Sequence, residues 1–237
     1  MIYSKIKNNT IRFFSKYFNL YPLKNYFKED SLNKIIKNNK IDTIIDVGSN
    51  TGQFFLRYKK KYKQYFFFEP QKNEFKIIKK SFEKLNNVYF FNIGIGEFKE
   101  EKSFFKNAFS PSSSFMKLDD QNSFKYLKEE MSEIINIDTL DNIFSSISLE
   151  GSVLLKIDVQ GFELNVLKGA KNILSKINFI YLEYSNNKQY QGQPTFHEIY
   201  SFLYENGYKF SFSDDNIILN GNHIQSDAFF IRDRNSI

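Results

Sequence analysis

The sequence predicts an α/β fold built on a parallel sheet with helices on both faces. Three observations carry this. From residue 41 short apolar runs alternate with helix-like segments, in the order "DTIIDVG", Gln53–Tyr62, "YFFFEP", Lys72–Leu85 and "NVYFFNIG". Those runs are nearly continuous in apolar residues, as strands buried on both faces must be. The rhythm then resumes with "VLLKID", a helical Glu163–Leu174 and the strand "NFIYLEY".

A chain of 237 residues, 41% of them apolar, suits one medium domain with an appendage. It contains no cysteine, which excludes disulfides, thiolate nucleophiles and cysteine-based zinc or iron–sulfur centres. No apolar run approaches the length of a membrane span, and "MIYSKIKNNTIRFF" lacks the compact core of a secretory signal, so a cytoplasmic location is expected. The net charge of +6 is uneven: residues 1–40 hold nine Lys or Arg against Glu29 and Asp30, which leaves the body close to neutral. A nucleic-acid partner is disfavoured, because a phosphate-tracking groove needs basic residues on the catalytic body itself.

Residues 1–40 are expected to form a basic, amphipathic helical extension. Ile2, Ile6, Phe13, Tyr17 and Tyr21 share one side of a first helix that Pro22 ends, and Ser31 caps a second through Ile36. Such a pair of helices either packs on the domain or docks through residues 1–21 on an anionic membrane surface, where the acceptor would be lipid-linked. The domain proper spans 41–237. Around 97–137 the pattern changes: "EKSFFKN" and "SEIINID" alternate like half-exposed strands about a Ser-rich loop, "SPSSSF", which reads as an insertion near the mouth of the site. Helix Thr139–Ser145 follows. "PTFHEIYSFLYENGYKF" carries a capping box, Thr195 with Glu198, and a Gly207 stop, and the closing strands "YKFSFS" and "SDAFFIRD" flank a segment with a turn at Asn220-Gly221.

Chemistry gathers at the strand ends. "TIIDVG" delivers Asp46, and the turn Gly48-Ser49-Asn50-Thr51-Gly52 leads into a helix; Glu69 ends the next strand, where such sheets hold an acid against ribose hydroxyls. The turn matches neither G-x-G-x-x-G nor a phosphate-binding loop, which disfavours dinucleotides and nucleoside triphosphates. An acid after strand one, a glycine turn without a phosphate cradle and an acid after strand two fit S-adenosylmethionine, its carboxylate on turn amides, its amino group on Asp46 and its ribose on Glu69. A turn with no ligand is the plain structural alternative.

"IIDVGSNTGQF", "FEP", "INIDTLDNI", "LLKIDVQGFELNVLKGA" and "GQPTFHEIYSFLYENGY" together resemble the FkbM-type S-adenosylmethionine-dependent methyltransferases across most of residues 41–210. The resemblance implies a class I methyltransferase, Rossmann-like, with a seven-stranded, mostly parallel sheet whose last strand is antiparallel, and O-methylation of a saccharide or another hydroxyl-bearing metabolite. Carried over by motif, Asp46, Gly48, Asn50, Gly52 and Glu69 would bind the cofactor, with Asn92 to Gly94 beside the adenine. Where the family often reads K-I-D-V-E-G this chain has Gln160, and where its first turn often has Ala it has Ser49.

With Asp46 and Glu69 given to the cofactor, Asp158 and Glu183 are left to face the acceptor. Lys156, two residues before Asp158 on one strand, shares its face and could pair with it, or serve only as charge balance. Methyl transfer to a hydroxyl needs the oxygen aligned and its proton removed, which makes Asp158 the first candidate for base or hydroxyl anchor and Glu183 the second. A divalent cation held by those two acids is a rival, though two carboxylates without a clear third ligand are weak evidence for one. His197 reads as a surface residue of its helix, and His223 has no nameable partner. Ser112, Ser113 and Ser114 would donate to cofactor or acceptor, or cap the segment at Phe115. Alternatives to a saccharide methyltransferase are a non-sugar or lipid-linked acceptor, or an idle cofactor-binding scaffold of the same fold.

Overall fold

A computed structural model describes residues 31–120, 122 and 129–233. The helix expected over residues 1–21, its Pro22 stop and its suggested membrane contact lie outside these residues. The described chain divides into two units, residues 31–40 with 53–60, and residues 41–52 with 61–233. In the first, α1 (Ser31–Asn38) buries Leu32 and Ile36, and α2 (Gln53–Arg57) buries Phe55. The helix expected to reach Tyr62 stops five residues early, at Arg57.

The second unit is built on a sheet of seven strands. They are β1 (Ile41–Val47), β2 (Gln64–Phe68), β3 (Val88–Phe91), β7 (Ser152–Ile157), β8 (Phe179–Ser185), β9 (Tyr208–Leu219) and β10 (Asn222–Arg232), in the order β3-β2-β1-β7-β8-β10-β9. The first five run parallel and the last strand, β10, is antiparallel to both its neighbours, as the resemblance implied. All five residues of β2 are buried, and Phe66, Leu155, Ile157, Ile180 and Leu182 anchor a core that continues into α5 (Glu163–Lys168) and α6 (Phe196–Glu205). α3 (Lys72–Phe82) supplies Ile78 and Phe82, the latter stacked on Phe67. The capping box of α6 is present, with both the Thr195 and Glu198 bonds made.

Departures from the sequence reading have local causes. "NVYFFNIG" is not one strand: β3 ends at Phe91, and β4 (Gly94–Ile95) joins a separate three-stranded sheet with β5 (Glu100–Asn107) and β6 (Glu129–Asp138), in the order β4-β6-β5. The helix from Glu163 breaks at Gly169, where a Cβ would lie 1.9 Å from the Gly96 carbonyl oxygen, and a 3-10 turn, Ile173–Lys176, completes the segment. The segment thought to separate the closing strands belongs to them, since β9 and β10 form one long hairpin about Asn220 and Gly221, both at positive φ. Between β6 and β7 lies only the short α4 (Leu140–Ile143), capped by Thr139.

The small sheet has its own core of Phe104, Phe115, Ile135, Ile137 and Phe162. Phe162 belongs to the loop that leaves β7, so this core fastens the 97–137 region to the loop that follows Asp158.

Candidate active site

The parallel strands bring their carboxyl ends to one edge of the sheet, where open α/β sheets take their ligands. Asp46 lies one residue before the end of β1, Glu69 directly after β2, Asp158 directly after β7, and Glu183 within β8. Asp46 is buried beside Lys156, Glu69 stands apart after β2, and Asp158 and Glu183 meet on one glutamine amide.

Asp46 and Lys156 are register partners across β1 and β7. The Lys156 ammonium lies 3.0 Å from Asp46 Oδ1 and 3.8 Å from Asp158 Oδ2, and it donates to the Gly48 carbonyl at 2.7 Å. Tyr65 donates to Asp46 Oδ2 at 2.9 Å. Burial would lower the Lys156 pKa, but the Asp46 and Asp158 charges and its bond to Asp46 raise it, so the side chain stays cationic. Burial, followed by the Asp46 charge, holds the Tyr65 hydroxyl well above its ordinary value. Asp46 is fully buried, with both oxygens turned to these partners. Of these oxygens, Oδ1 makes the ion pair with Lys156 but no other hydrogen bond.

The turn after β1 is closed by its own bonds. The amides of Gly48 and Ser49 both reach the Phe68 carbonyl at 3.0 Å, Asn50 N–H donates to Glu69 Oε2 at 2.8 Å, Thr51 N–H to Asn50 Oδ1 at 2.9 Å, and Gly52 N–H to the Ser49 carbonyl at 2.8 Å. The carboxylate contact that the sequence suggested for these amides meets donors already engaged within the fold. Ser49 uses the hydroxyl that alanine would lack: it donates to the Asp46 carbonyl at 2.7 Å and accepts from Phe68 N–H at 3.1 Å, tying β1 to β2. Gly48, at φ +75, is required by packing as much as by conformation, because a Cβ there would sit 1.9 Å from the Asp158 carbonyl oxygen.

Glu69 is suited to a ribose. Its Oε2 accepts from Asn50 N–H and its Oε1 from Gln71 N–H, each at 2.8 Å. An ionised carboxylate has about four acceptor sites, so each oxygen retains capacity for one hydroxyl of a vicinal diol. Burial pushes the Glu69 carboxyl up to about 8 against the lowering pull of those two amides. Asn92 is exposed and fixes the bend after Glu69, donating to the Glu69 carbonyl at 2.8 Å and the Pro70 carbonyl at 3.0 Å. Gly94 is buried beneath Phe115, whose ring comes 2.4 Å from where its Cβ would be, so it belongs to the small core and not to a ligand-facing surface.

Asp158 and Glu183 do meet. Gln160 Nε2 donates to Asp158 Oδ1 at 2.8 Å and to Glu183 Oε2 at 2.5 Å. Gln160 Oε1 lies 3.0 Å from the Tyr190 hydroxyl, which also lies 2.8 Å from the Ser112 carbonyl. Gln160 sits at φ +57, a left-handed conformation that costs a non-glycine residue about 1–2 kcal/mol. Two clamps hold it there: Ser114 Oγ donates to its carbonyl at 2.6 Å, and the buried Glu163 carboxylate accepts from the amides of Gly161 at 3.0 Å and Val159 at 3.3 Å. Burial raises Glu163 to about 7.

Sequence reasoning missed Tyr190, Asp227 and Tyr181. Asp227 is the register partner of Glu183 on β10, its carboxyl accepts from Tyr181 at 2.7 Å, and burial raises it to about 7. Glu163, read as a helix-start residue, does open α5 but turns back on the loop. The serines act on the loop as well: Ser113 Oγ accepts from Asn107 N–H at 3.1 Å, while Ser110 Oγ donates to Glu74 at 2.6 Å. His197 is exposed in the first turn of α6, and His223 is held by Asn186, Asn216 and Ser226. Among the described residues no group of three or more His, Cys, Asp or Glu is placed to hold a metal ion.

Comparison with known proteins places these features in a family. The profile of the methyltransferase FkbM domain matches residues 46–210. The 2-O-methyltransferase NoeI of Sinorhizobium fredii (strain NBRC 101917 / NGR234) is 30% identical over 173 residues, which cover 68% of this chain and 70% of that protein. A crystal structure of the methyltransferase FkbM from Methylobacillus flagellatus KT shares the fold, with a TM-score of 0.51 at 14% identity, over 80% of this chain. This chain spans 43% of that one, less than half its length. With the profile covering the glycine turn, Asp158, Glu183 and the capped helix α6, the chain belongs to the FkbM family of S-adenosylmethionine-dependent methyltransferases.

Proposed function

We propose that this protein transfers the methyl group of S-adenosylmethionine to a hydroxyl of a saccharide or glycan precursor. The observation that carries this reading is the convergence of Asp158, directly after β7, and Glu183, within β8, on one amide, next to the turn that begins at Gly48. The 2-O-methyltransferase name of its relative supports oxygen as the accepting atom and leaves the acceptor's class to chemistry.

In this mechanism Glu69 accepts the ribose hydroxyls, and the turn from Gly48 to Gly52 shapes the backbone around the cofactor. Asp46 acts through Lys156, keeping its ammonium on the Gly48 carbonyl and near Asp158. When bound, the sulfonium would supply an electrophilic methyl group, its S–CH3 bond breaking as the new C–O bond forms and the thioether leaving as S-adenosylhomocysteine. Asp158, whose side chain is 41% exposed, accepts the proton of the acceptor hydroxyl as the C–O bond forms, and Glu183 anchors a neighbouring hydroxyl. A pair of acids suits a neighbouring pair of hydroxyls, the arrangement a sugar ring offers.

Transfer of tritium from labelled cofactor into a panel of neutral oligosaccharides, nucleotide sugars and simple non-sugar alcohols tests the proposal. Label confined to saccharides, and lost in Asp158→Asn while affinity for S-adenosylhomocysteine persists, is the expected result. Label in the non-sugar alcohols alone would overturn the saccharide assignment.

A further inference from the structure

Gln160 stands where two acids meet, and its own carboxamide carries no charge. Its NH2 brings two hydrogens to two carboxylate oxygens, one on Asp158 and one on Glu183. The opposite orientation would aim Oε1 at both acids with no hydrogen between them, so the bonding pattern fixes the amide. On the other side the Tyr190 hydroxyl lies 3.0 Å from Oε1. The backbone is held in a conformation that glutamine does not favour by the Ser114 and Glu163 clamps. A strained and doubly clamped backbone points to a role in the site rather than in general packing.

Carboxylates this close resist sharing a site, and one of them is driven to take a proton. A neutral group with two donors removes that pressure. A carboxylic acid in its place would bring one hydrogen, and a carboxylate none. We infer that Gln160 is a positioning residue, a neutral crossbar that holds the Asp158 and Glu183 carboxylates aligned towards the acceptor while both are charged. The functional part of this inference rests on the proposed base and anchor roles of those two acids, whereas the crossbar itself is a statement about their charges.

Thermal unfolding of the full chain between pH 5 and pH 9 tests the crossbar without any acceptor. Gln160→Glu adds a carboxyl whose ionisation its neighbours oppose, so its folded pKa lies above the unfolded one. Its stability is then retained at low pH and lost as pH rises, and the Tm deficit against the unaltered protein should widen by about 3–5 °C by pH 8. Gln160→Met removes the crossbar without adding charge and leaves the two carboxylates unbridged, so its deficit should also widen as pH rises, by less than that of Gln160→Glu. Adding Asp158→Asn to Gln160→Glu should shrink the widening. A Gln160→Met deficit that stays constant across pH, or a double variant as pH-sensitive as Gln160→Glu alone, would overturn the crossbar. Turnover of Asp158→Asn reads the base assignment separately: if turnover persists, that assignment fails while the pH comparison still decides the crossbar.

Discussion

Lys156 and Asp46 face each other across the parallel pair of β7 and β1, with the ammonium 3.0 Å from the carboxylate and both side chains withdrawn from solvent. The pair joins the glycine turn to the strand that ends in Asp158, because the same ammonium also holds the Gly48 carbonyl. A buried ion pair is sensitive to loss of one member, which strands the other charge. Asp46→Asn should therefore lower unfolding stability by about 3–5 kcal/mol in urea titration. Combining it with Lys156→Met should restore much of that loss, since no charge then remains unpaired. A single variant as stable as the unaltered protein would show that the pair does not organise the site.

Gly48 tests the same joint from the backbone. A methyl group there would meet the Asp158 carbonyl at 1.9 Å on a residue already at φ +75. Relief requires moving the loop that carries Asp158, and a displacement near 1 Å at a reacting group can cost about 100-fold in rate. Gly48→Ala is expected to lower Tm and to reduce kcat on that scale. Full turnover with a normal melting curve would mean the loop can retreat without cost.

The single hydrogen of the Tyr190 hydroxyl is shared between two acceptors, the buried Ser112 carbonyl at 2.8 Å and the half-buried Gln160 Oε1 at 3.0 Å. Tyr190→Phe removes the hydroxyl and leaves them dry, a loss of about 1–3 kcal/mol. Burial, with the Glu183 charge next, keeps this phenol well above its ordinary value, so the unaltered side chain remains a donor at every working pH. Denaturant unfolding should show that loss undiminished from pH 6 to pH 9; a loss that vanishes towards pH 9 would mean the phenol ionises.

The strands were legible because burial on both faces writes itself as continuous apolar runs, and Glu69 and Asp158 follow from where those runs end. The α6 start was legible because a capping box is local: Thr195 and Glu198 are three residues apart. The division of "NVYFFNIG" between two sheets was not, because it depends on Asn92 reaching back to the Glu69 and Pro70 carbonyls and on Phe115 arriving over Gly94 from elsewhere in the chain. Tyr190 and Asp227 were hidden for the same reason. One lies in a loop without a motif, the other on a strand of the closing hairpin, and only the β8–β10 register sets Asp227 opposite Glu183. Gln160 was visible as a departure from a family pattern, but its two donor bonds needed coordinates.

Glu69 makes a prediction whose sign follows from its direction of shift. Burial raises its carboxyl to about 8 in the folded protein, above an unfolded value of about 4.3. A raised acid contributes stability that is present below the unfolded pKa and is lost as pH climbs through the folded one. Glu163 and Asp227, each raised to about 7, act in the same direction. The apoprotein should accordingly become less stable from about pH 4.5 to pH 8, and Glu69→Gln should flatten part of that slope. Cofactor binding should respond oppositely, because ribose hydroxyls bond more strongly to a carboxylate than to a carboxylic acid. Affinity for S-adenosylhomocysteine, measured by isothermal titration, should tighten as pH rises towards 8. In Glu69→Gln it should be weaker by about tenfold at pH 8 and no longer vary with pH, the change expected for losing charge-assisted hydrogen bonds. An unaltered pH dependence in that variant would remove Glu69 from the cofactor site.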